Sequence, residues 1–446
     1  MTVAHFSFYL IFFLFFGGYH LSSLKNLSLR WKYILGFSFL WLIIAEPQAV
    51  IPLIITTQLV WFCGKNISVS DIKAKKKKFW LLTGTALCFV NWFIVQNSAL
   101  STKFAVSFYS LQLIGYLVDR YRGHQFISFT SLELLTSVSA FYSLTAGPIL
   151  RTRDHILELK KPSYLTVNLV RLAIFRILWG LTKKSAGDLL GDNIQGYLLF
   201  NYHHSSISAW TNFLSITAQF YLDLSGYSDI AIGLASLLGI KIPENFNLPF
   251  LATNMADQWR RWHASLGRWF YEYVFLSLCL YKPIKKFKPT LQISVAVMIT
   301  MILVGIWHGL NTNNFIWGIY NGILILIGAW AQKRFSWLQF KGKTSLAIGL
   351  TFFAGMFGRV LNRIPDWKTA CVAWQELFQA FDLKAMGIYE VYICVATLAA
   401  LVIPHVIDWL YITKLQKPSW VWVTFVASIL FFYFILIFGM QGKPFL

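Results

Sequence analysis

Two histidines that each follow a tryptophan are the side chains best suited to chemistry in this chain. One ends the run Trp259-Arg-Arg-Trp-His263, and the other stands in Trp307-His308-Gly309. Both lie in or beside apolar segments long enough to lie in a membrane, where an imidazole is costly to bury without a purpose. Because neutral imidazole is an effective general base at physiological pH, the two residues predict proton transfer at membrane depth.

The surroundings of His308 favour a catalytic role over a structural one. It ends the apolar run Val295–Trp307, and Gly309 and the polar group Asn311–Asn314 follow. A lone histidine in a membrane segment is more often a hydrogen-bonded residue at a helix end. Here the second Trp-His pair and the nearby helix breaks reverse that preference, and we expect a His308 that is buried and neutral.

The segment around His263 predicts one amphipathic helix at the membrane interface, Asn254–Tyr273. Asn254 and Asp257 have the spacing of an N-cap and its third helical residue, and Asp257 and Arg261 have that of an i, i+4 ion pair. An apolar, mainly aromatic stripe recurs at helical spacing and consists of Trp259, Trp262, Leu266, Trp269 and Tyr273.

Two further segments place polar groups or breaks inside apolar sequence. Asp223-Leu-Ser-Gly-Tyr-Ser-Asp229 interrupts two apolar runs, and carboxylates at that depth predict a polar cavity that they line or brace. Ser225 lacks the strand-turn-helix setting of a nucleophile, so a structural role is preferred. Gly147-Pro148 predicts an interior bend.

These segments belong to a chain with the composition of a polytopic membrane protein. Of 446 residues, 57% are hydrophobic and 13% are charged. The apolar runs, from Phe6–Gly18 through Tyr33–Cys63 (two crossings) to Val421–Phe438, predict an all-α body of about 11–13 membrane helices. Several runs are shorter than a full crossing, so some helices are expected to be tilted or re-entrant. The first is interpreted as a retained helix rather than a signal peptide.

The net charge of +21 is explained by short basic loops such as Lys73–Lys78 that face the cytoplasm and anionic lipid. No basic face with interleaved aromatic residues lies outside the apolar runs, so no nucleic-acid partner is predicted. The five cysteines lie in apolar surroundings without paired spacing, and His203-His204 is a loop pair without a carboxylate beside it. We therefore predict no metal site, no disulfide and no bound cofactor.

Together these segments resemble the membrane-bound O-acyltransferase family. The similarity covers about Phe104 to Asn321 of a single membrane domain, 1–446. The matching motifs occur in the family's order: Tyr116-Leu-Val-Asp-Arg-Tyr-Arg-Gly123, Thr145-Ala-Gly-Pro-Ile-Leu-Arg151, Asp223-Leu-Ser-Gly-Tyr-Ser-Asp229, Pro243-Glu-Asn-Phe-Asn-Leu-Pro-Phe250, Trp259-Arg-Arg-Trp-His263 and Gly305-Ile-Trp-His308-Gly309.

The resemblance implies a tunnel in which a cytoplasmic thioester meets an acceptor on the far side of the membrane. It identifies His308 as the catalytic histidine and His263 as its companion. Arginines near the donor's entrance suit a phosphate or an acidic carrier surface. The further positions expected to bind substrate or line the tunnel are Asn245, Asp223, Ser225, Tyr227, Trp259, Arg260, Arg261, Trp262 and Trp307.

Within the family, the motif sequences are similar to those of the bacterial branch that contains the alginate O-acetylases and the teichoic acid D-alanyltransferases. Ala146–Arg151 and Ser228-Asp229-Ile-Ala-Ile-Gly look more like the polysaccharide acetylases, whereas Leu276–Cys279 and Tyr320–Gly322 depart from them. The resemblance implies acetyl transfer from acetyl-CoA or an acylated carrier protein to an exported polysaccharide, in a bacterial cytoplasmic membrane.

Three alternatives remain open at this point. The first is D-alanyl transfer toward teichoic acid, the second a secondary transporter and the third a membrane scaffold. A transporter would be expected to show matched broken helices in two repeated halves, which the sequence lacks. A scaffold does not explain two Trp-His sites at membrane depth. A separate extracytoplasmic protein could also serve as the acyl acceptor.

Overall fold

The computed structural model describes residues 6–23, 27–68, 73–96, 103–123, 129–161, 165–200, 206–334, 344–364, 366–378 and 388–414. These residues form helices and connecting segments, and no strand occurs among them. The predicted all-α fold class is therefore confirmed.

The helices have the following bounds in chain order: α1 (Phe6–Ser23), α2 (Leu27–Ala45), α3 (Val50–Ile67), α4 (Ala74–Gln96), α5 (Lys103–Tyr121), α6 (Ser131–Ser139), α7 (Thr152–Lys160), α8 (Val167–Phe200), α9 (Ser206–Leu237), α10 (Met255–Arg261), α11 (Ala264–Trp269), α12 (Leu276–Leu280), α13 (Lys282–Lys285), α14 (Pro289–His308), α15 (Thr312–Arg334), α16 (Thr344–Arg363), α17 (Trp367–Glu376) and α18 (Ile388–Lys414). Short 3-10 turns cover Pro47–Ala49 and Pro249–Leu251, and a π-helical turn covers Phe270–Phe275.

Six described helices are long and apolar enough to cross a membrane, which indicates a multi-pass membrane protein. The expected number of about 11–13 membrane helices is larger and stays a prediction. The apolar run Val421–Phe438 and the loop pair His203-His204 lie outside the described residues. The six spans are Pro47–Ile67, Ala74–Gln96, Pro289–His308, Thr312–Arg334, Thr344–Arg363 and Cys394–Thr413.

The chain divides into two compact units. The first comprises Met1–Leu178 and Tyr227–Glu244, and the second comprises Trp179–Gly226 and Asn245–Leu446. In the first unit, α2 packs on α1 and α6, and α3, α4 and α5 pack against one another. The buried Arg30 guanidinium of α2 donates hydrogen bonds to the Tyr19 hydroxyl at 2.8 Å and to the Leu238 carbonyl at 3.0 Å, so its polar atoms are satisfied locally.

Two predicted features of the first unit are confirmed, the division of Tyr33–Cys63 and the bend at Gly147-Pro148. The run Tyr33–Cys63 contains two helices, α2 and α3, separated by a 3-10 turn. Gly147-Pro148 lies in the non-helical stretch between α6 and α7. Gly123, which follows the end of α5, has φ +73°, a left-handed conformation that glycine adopts without a steric penalty.

The expected interruption at Asp223–Asp229 is wrong, because α9 runs through it without a break. Ion pairs satisfy both carboxylates and so remove the reason for a break: Lys184 Nζ lies 2.8 Å from Asp223 in the second unit, and Arg176 lies 2.9 Å from Asp229 in the first. At Gly226 the helix backbones approach closely, since an added Cβ would meet the Gly180 carbonyl oxygen at 2.7 Å.

In the second unit, α14 and α15 form a tight antiparallel pair, and α15 also packs against α10 and α16. Glycine permits the close crossing. A Cβ on Gly305 would clash with the Asn314 carbonyl oxygen, and one on Gly318 would lie 2.5 Å from the Met301 carbonyl oxygen. This packing holds the end of α14, with His308, against the start of α15.

Candidate functional site

His308 lies where its sequence predicts, at the C-terminal end of α14. Gly309 follows as the cap with φ +155°, and its amide donates to the Ile306 carbonyl at 3.1 Å. The His308 ring packs edge-on against two tryptophans, with ring centroids 4.7 Å from Trp307 and 5.2 Å from Trp317. The two indoles fix the plane of the imidazole without covering it.

The expectation that the His308 side chain is buried is wrong, because that side chain is exposed. The physical reason is local: His308 is the last residue of its helix, and only Gly309 and an open polar turn follow it. The ring is nevertheless surrounded by many protein atoms. An accessible side chain with dense protein around it lines a recess, where a substrate could reach it.

His263 occupies the opposite environment. Its side chain is only 5% exposed, and it stands in a turn between α10 and α11 with φ +48° and ψ +48°. A left-handed conformation is uncommon for a residue with a Cβ and is stabilised only when the surroundings determine it.

The predicted single helix Asn254–Tyr273 is therefore wrong. The segment breaks at Trp262-His263, continues as α11 and ends in the π-helical turn Phe270–Phe275. Helical spacing of the aromatic residues concealed the break, because the turn is imposed by a partner distant in sequence.

That partner is Asn245, which is 1% exposed. Its side-chain oxygen accepts hydrogen bonds from the Ser265 amide at 3.2 Å and the Ser265 hydroxyl at 2.8 Å, and its carbonyl accepts from the Ala264 amide at 2.8 Å. Asn245 thereby clamps the turn that carries His263. Asn245, expected to bind substrate or line the tunnel, has contacts that suit a brace.

The start of α10 is as predicted, and its two arginines differ. The Asn254 side chain accepts from the Asp257 amide at 2.8 Å and caps the helix. Arg261 pairs with Asp257 at 2.9 Å and donates to the Asn247 carbonyl at 3.3 Å, so it braces the same segment as Asn245. Arg260 has a side chain that is 72% exposed and lies 3.7 Å from Asp257.

Trp317 of α15 connects the two Trp-His motifs. Its ring contacts His308, and it packs against Trp259 with centroids 5.7 Å apart. The Trp259 indole nitrogen donates to Asn321 of the same helix at 3.3 Å. His263 and His308 are close enough to interact electrostatically: burial lowers the pKa of His263, the charge of His308 adds to this effect, and the pKa falls to about 3.

Trp262 faces a cluster that the sequence analysis missed. Its ring packs against Phe246 and Phe250, and the guanidinium of Arg359 lies over it. Beyond Phe250, Asp408 accepts hydrogen bonds from Trp179 and Tyr221 and pairs with Lys183. Arg359, Lys183 and Asp408 are charged residues within apolar helices, and that is the signal that could have identified them.

The remaining predicted positions lie on α9. Asp223 pairs with Lys184 of α8, and Ser225 is buried. Tyr227 belongs to the first unit by its contacts. The structure thus brings together Asn245, Trp259, Trp262, His263, Trp307 and His308, and the roles of all these residues stay predictions. Among the described residues, no cluster of three or more His, Cys, Asp or Glu side chains is placed to hold a metal ion.

Comparisons with known proteins match the part of the chain that contains both histidines. The family model described as "MBOAT, membrane-bound O-acyltransferase family" matches residues 130–358, slightly more than half of the chain and a range that includes both histidines. The chain is 28% identical to the probable alginate O-acetylase AlgI of Pseudomonas aeruginosa over 345 residues, which cover 71% of this chain and 64% of that protein.

Two further relatives are named for other activities. The peptidoglycan O-acetyltransferase of Helicobacter pylori is 32% identical over 253 residues, 50% of this chain and 46% of that protein. The teichoic acid D-alanyltransferase of Bacillus subtilis is 31% identical over 241 residues, 51% of this chain and 60% of that protein. In all three comparisons the match covers less than two thirds of the relative's length.

Proposed function

The chain belongs to the membrane-bound O-acyltransferase family, and from that premise we propose that it moves an acyl group from a thioester donor to a hydroxyl of a cell-envelope polysaccharide. The observation that carries the proposal is the accessible ring of His308 at the end of α14, held between two tryptophans and electrostatically coupled to a fixed second histidine.

The chemistry needs one base and an ordered pair of substrates. Neutral His308 takes the proton of the acceptor hydroxyl as its oxygen attacks the thioester carbonyl. The new C–O ester bond forms, the C–S bond breaks, and the imidazolium returns its proton to the leaving thiolate. Such positioned base catalysis contributes about 10²- to 10⁴-fold in rate.

His263 is proposed to position rather than to exchange the proton. Its backbone is fixed by the Asn245 clamp, and burial disfavours its protonated form. From that fixed place it orients the donor or polarises its carbonyl. Trp259 and Trp307 shape the walls beside the two rings.

The transferred group is proposed to be acetyl, from acetyl-CoA or an acylated carrier protein on the cytoplasmic side, with no bound cofactor. The Pseudomonas relative is named a probable O-acetylase and the Helicobacter relative an O-acetyltransferase, and these names support acetyl over the D-alanyl group in the name of the Bacillus relative. The chain, a multi-pass membrane protein, is proposed to act as one domain in a bacterial cytoplasmic membrane, with an extracytoplasmic polysaccharide or protein as acceptor.

Radiolabelled transfer tests this function. Membranes that contain the full chain are supplied with labelled acetyl-CoA and, in a parallel reaction, with a D-alanyl carrier protein, and label in the envelope polymer is counted. We expect acetyl label in the polymer that His308→Ala abolishes while the variant still inserts. His20→Ala is the matched control, because His20 lies in α1 of the first unit. Acetyl transfer that survives in His308→Ala would overturn the proposal.

A further inference from the structure

Arg359 of α16 is a buried charge that the proposed mechanism does not use. It lies within an apolar span of the second unit, and only 8% of its surface is exposed. A guanidinium remains protonated in proteins, and its burial at membrane depth is costly unless it is compensated. Such a residue is expected to have a partner that justifies its position.

The partners that the protein supplies hold the guanidinium in place without neutralising it. Its central carbon lies 4.3 Å from the ring centroid of Trp262 and 5.6 Å from that of Phe250, in cation–π geometry. The side-chain amide of Gln258 accepts a hydrogen bond from Arg359 Nη2 at 2.7 Å and donates one to the Pro249 carbonyl at 2.8 Å. This is the amide orientation in which both the oxygen and the nitrogen of Gln258 have partners. Two rings and a neutral amide orient the charge, and none of them carries a negative charge.

The other terminal nitrogen of Arg359 lacks a hydrogen-bond partner in the described part of the chain. Arg359 Nη1 is buried and has no hydrogen-bond partner within the described part of the chain, where no carboxylate forms a salt bridge with this residue either. An unmade hydrogen bond from a buried charged donor is more costly than one from a neutral group. A fixed guanidinium with a free donor is the arrangement that binds a carboxylate or a phosphate.

Arg359 also stands beside both histidine motifs. It stacks on Trp262, the residue before His263. Its neighbour Gly358 lies against α15, where an added Cβ would meet the Tyr320 ring at 2.9 Å and the Trp317 indole nitrogen at 3.6 Å. Trp317 in turn packs on His308. One turn of α16 therefore touches an aromatic neighbour of each histidine.

We propose that Arg359 is an anion-binding residue of this site, and that its free Nη1 donates to an anionic oxygen of a substrate. The identity of that substrate rests on the proposed function, which offers two sources of the same chemistry: the phosphates of a thioester donor and a carboxylate on an acidic acceptor sugar. Binding of either would neutralise the buried charge and orient the bound molecule relative to His308.

The experiment measures binding to the full-length protein in lipid nanodiscs without any need for turnover. Coenzyme A and inorganic pyrophosphate probe the phosphate source, galacturonate oligomers probe the carboxylate source, and malto-oligosaccharides serve as a neutral sugar control. We expect one anionic class to bind, and Arg359→Gln to weaken that binding about 10- to 100-fold, the effect of one lost charge-assisted hydrogen bond. Binding of the neutral sugar should not change.

Arg363→Gln is the matched control, because it removes the same charge one turn later on α16. It should leave the anion affinity unchanged. Arg359→Lys keeps the charge but loses the planar fork and the stack on Trp262, and it remains informative if Arg359→Gln does not fold. We expect Arg359→Lys to weaken the same probe at least several-fold. Equal affinities in the original protein and in either Arg359 variant, or equal losses in Arg359→Gln and Arg363→Gln, would overturn the inference.

A transfer assay separates this inference from the proposed function. Normal transfer with unchanged KM for donor and acceptor in Arg359→Lys would overturn the anion site and leave the function intact. Anion binding that depends on Arg359 in a protein that transfers no acyl group would support the site and overturn the function.

Discussion

The two Trp-His dipeptides of this protein are identical in sequence and opposite in setting. His308 ends a regular helix, is exposed and is followed by a glycine cap. His263 is buried in a left-handed turn between two short helices and is clamped by Asn245. The accessible ring is able to meet a substrate, whereas the buried ring is held by the rest of the second unit. This difference supports the proposal that His308 reacts with the substrate and that His263 positions it.

The energetics of the His263 turn support that division. A left-handed conformation costs a residue with a Cβ about 1–2 kcal/mol, and a hydrogen bond contributes about 0.5–1.5 kcal/mol net. The hydrogen bonds that Asn245 accepts from Ala264 and Ser265 are of the size needed to offset the strain. His308 needs no such compensation, because the conformation of a helix end already places it.

The largest expected effect comes from the exposed histidine. His308→Gln keeps a hydrogen-bonding side chain but removes the basic nitrogen, so kcat should fall about 10²- to 10⁴-fold while donor binding changes little. Single-turnover transfer and donor titration measure the two quantities separately. His20→Gln, in α1, is the control and should leave kcat unchanged.

The same substitution at the buried histidine sharpens the contrast. His263→Gln should lower kcat less than His308→Gln and raise KM more, because a positioning group acts on the bound substrate rather than on the proton. If His308→Gln keeps near-native turnover while His263→Gln abolishes it, the two roles must be exchanged.

Removal of the Asn245 clamp should affect the turn that carries His263 and leave the helix end that carries His308 unchanged. Asn245→Ala leaves two buried Ser265 donors without their acceptor, which should cost about 1–3 kcal/mol of stability. Thermal unfolding in detergent measures the loss. Asn247→Ala is the matched control, since Asn247 is exposed and engages Arg261 through its backbone. An equal effect of both substitutions would contradict a specific role for the clamp.

The stability of the second unit should depend on pH through His263, which lies outside the candidate membrane spans. Burial lowers its pKa to about 3, below the usual value of 6.5. The unfolded chain therefore binds the proton more readily, so the stabilisation is complete above pH 6.5 and is lost as the pH falls toward 3. Melting temperatures between pH 7 and 4.5 should fall more steeply for the original protein than for His263→Gln. Parallel curves would contradict this prediction.

The smallest expected effect is at the two arginines of α10. Arg260 is exposed, and exposed charge contacts contribute about 0–1 kcal/mol, so Arg260→Ala should raise the donor KM by no more than about fivefold. Arg261→Ala should act mainly through stability, because it breaks the contacts to Asp257 and Asn247. A donor titration and a melting curve on each variant test this division, and unchanged KM in both would make the arginines interface anchors.

The sequence by itself determined the features that depend on local pattern. Hydropathy identified a helical membrane protein, and the order of the motifs identified the family. The end of α14 at His308 and the Asn254 cap of α10 were also predictable. A glycine after an apolar run and an asparagine three residues before an acidic one act within a single helical turn, so short spacings contain the necessary information.

Only the tertiary structure decided which histidine is buried and where the predicted helix Asn254–Tyr273 breaks. The break at His263 depends on a hydrogen bond from Ser265 to Asn245, twenty residues away, and a periodic pattern does not register a partner at that distance. The continuity of α9 likewise depends on Lys184 and Arg176, which come from another helix and neutralise its carboxylates. Arg359 became a candidate site residue only when folding placed its guanidinium on Trp262, because a buried charge takes its function from the groups that packing brings around it.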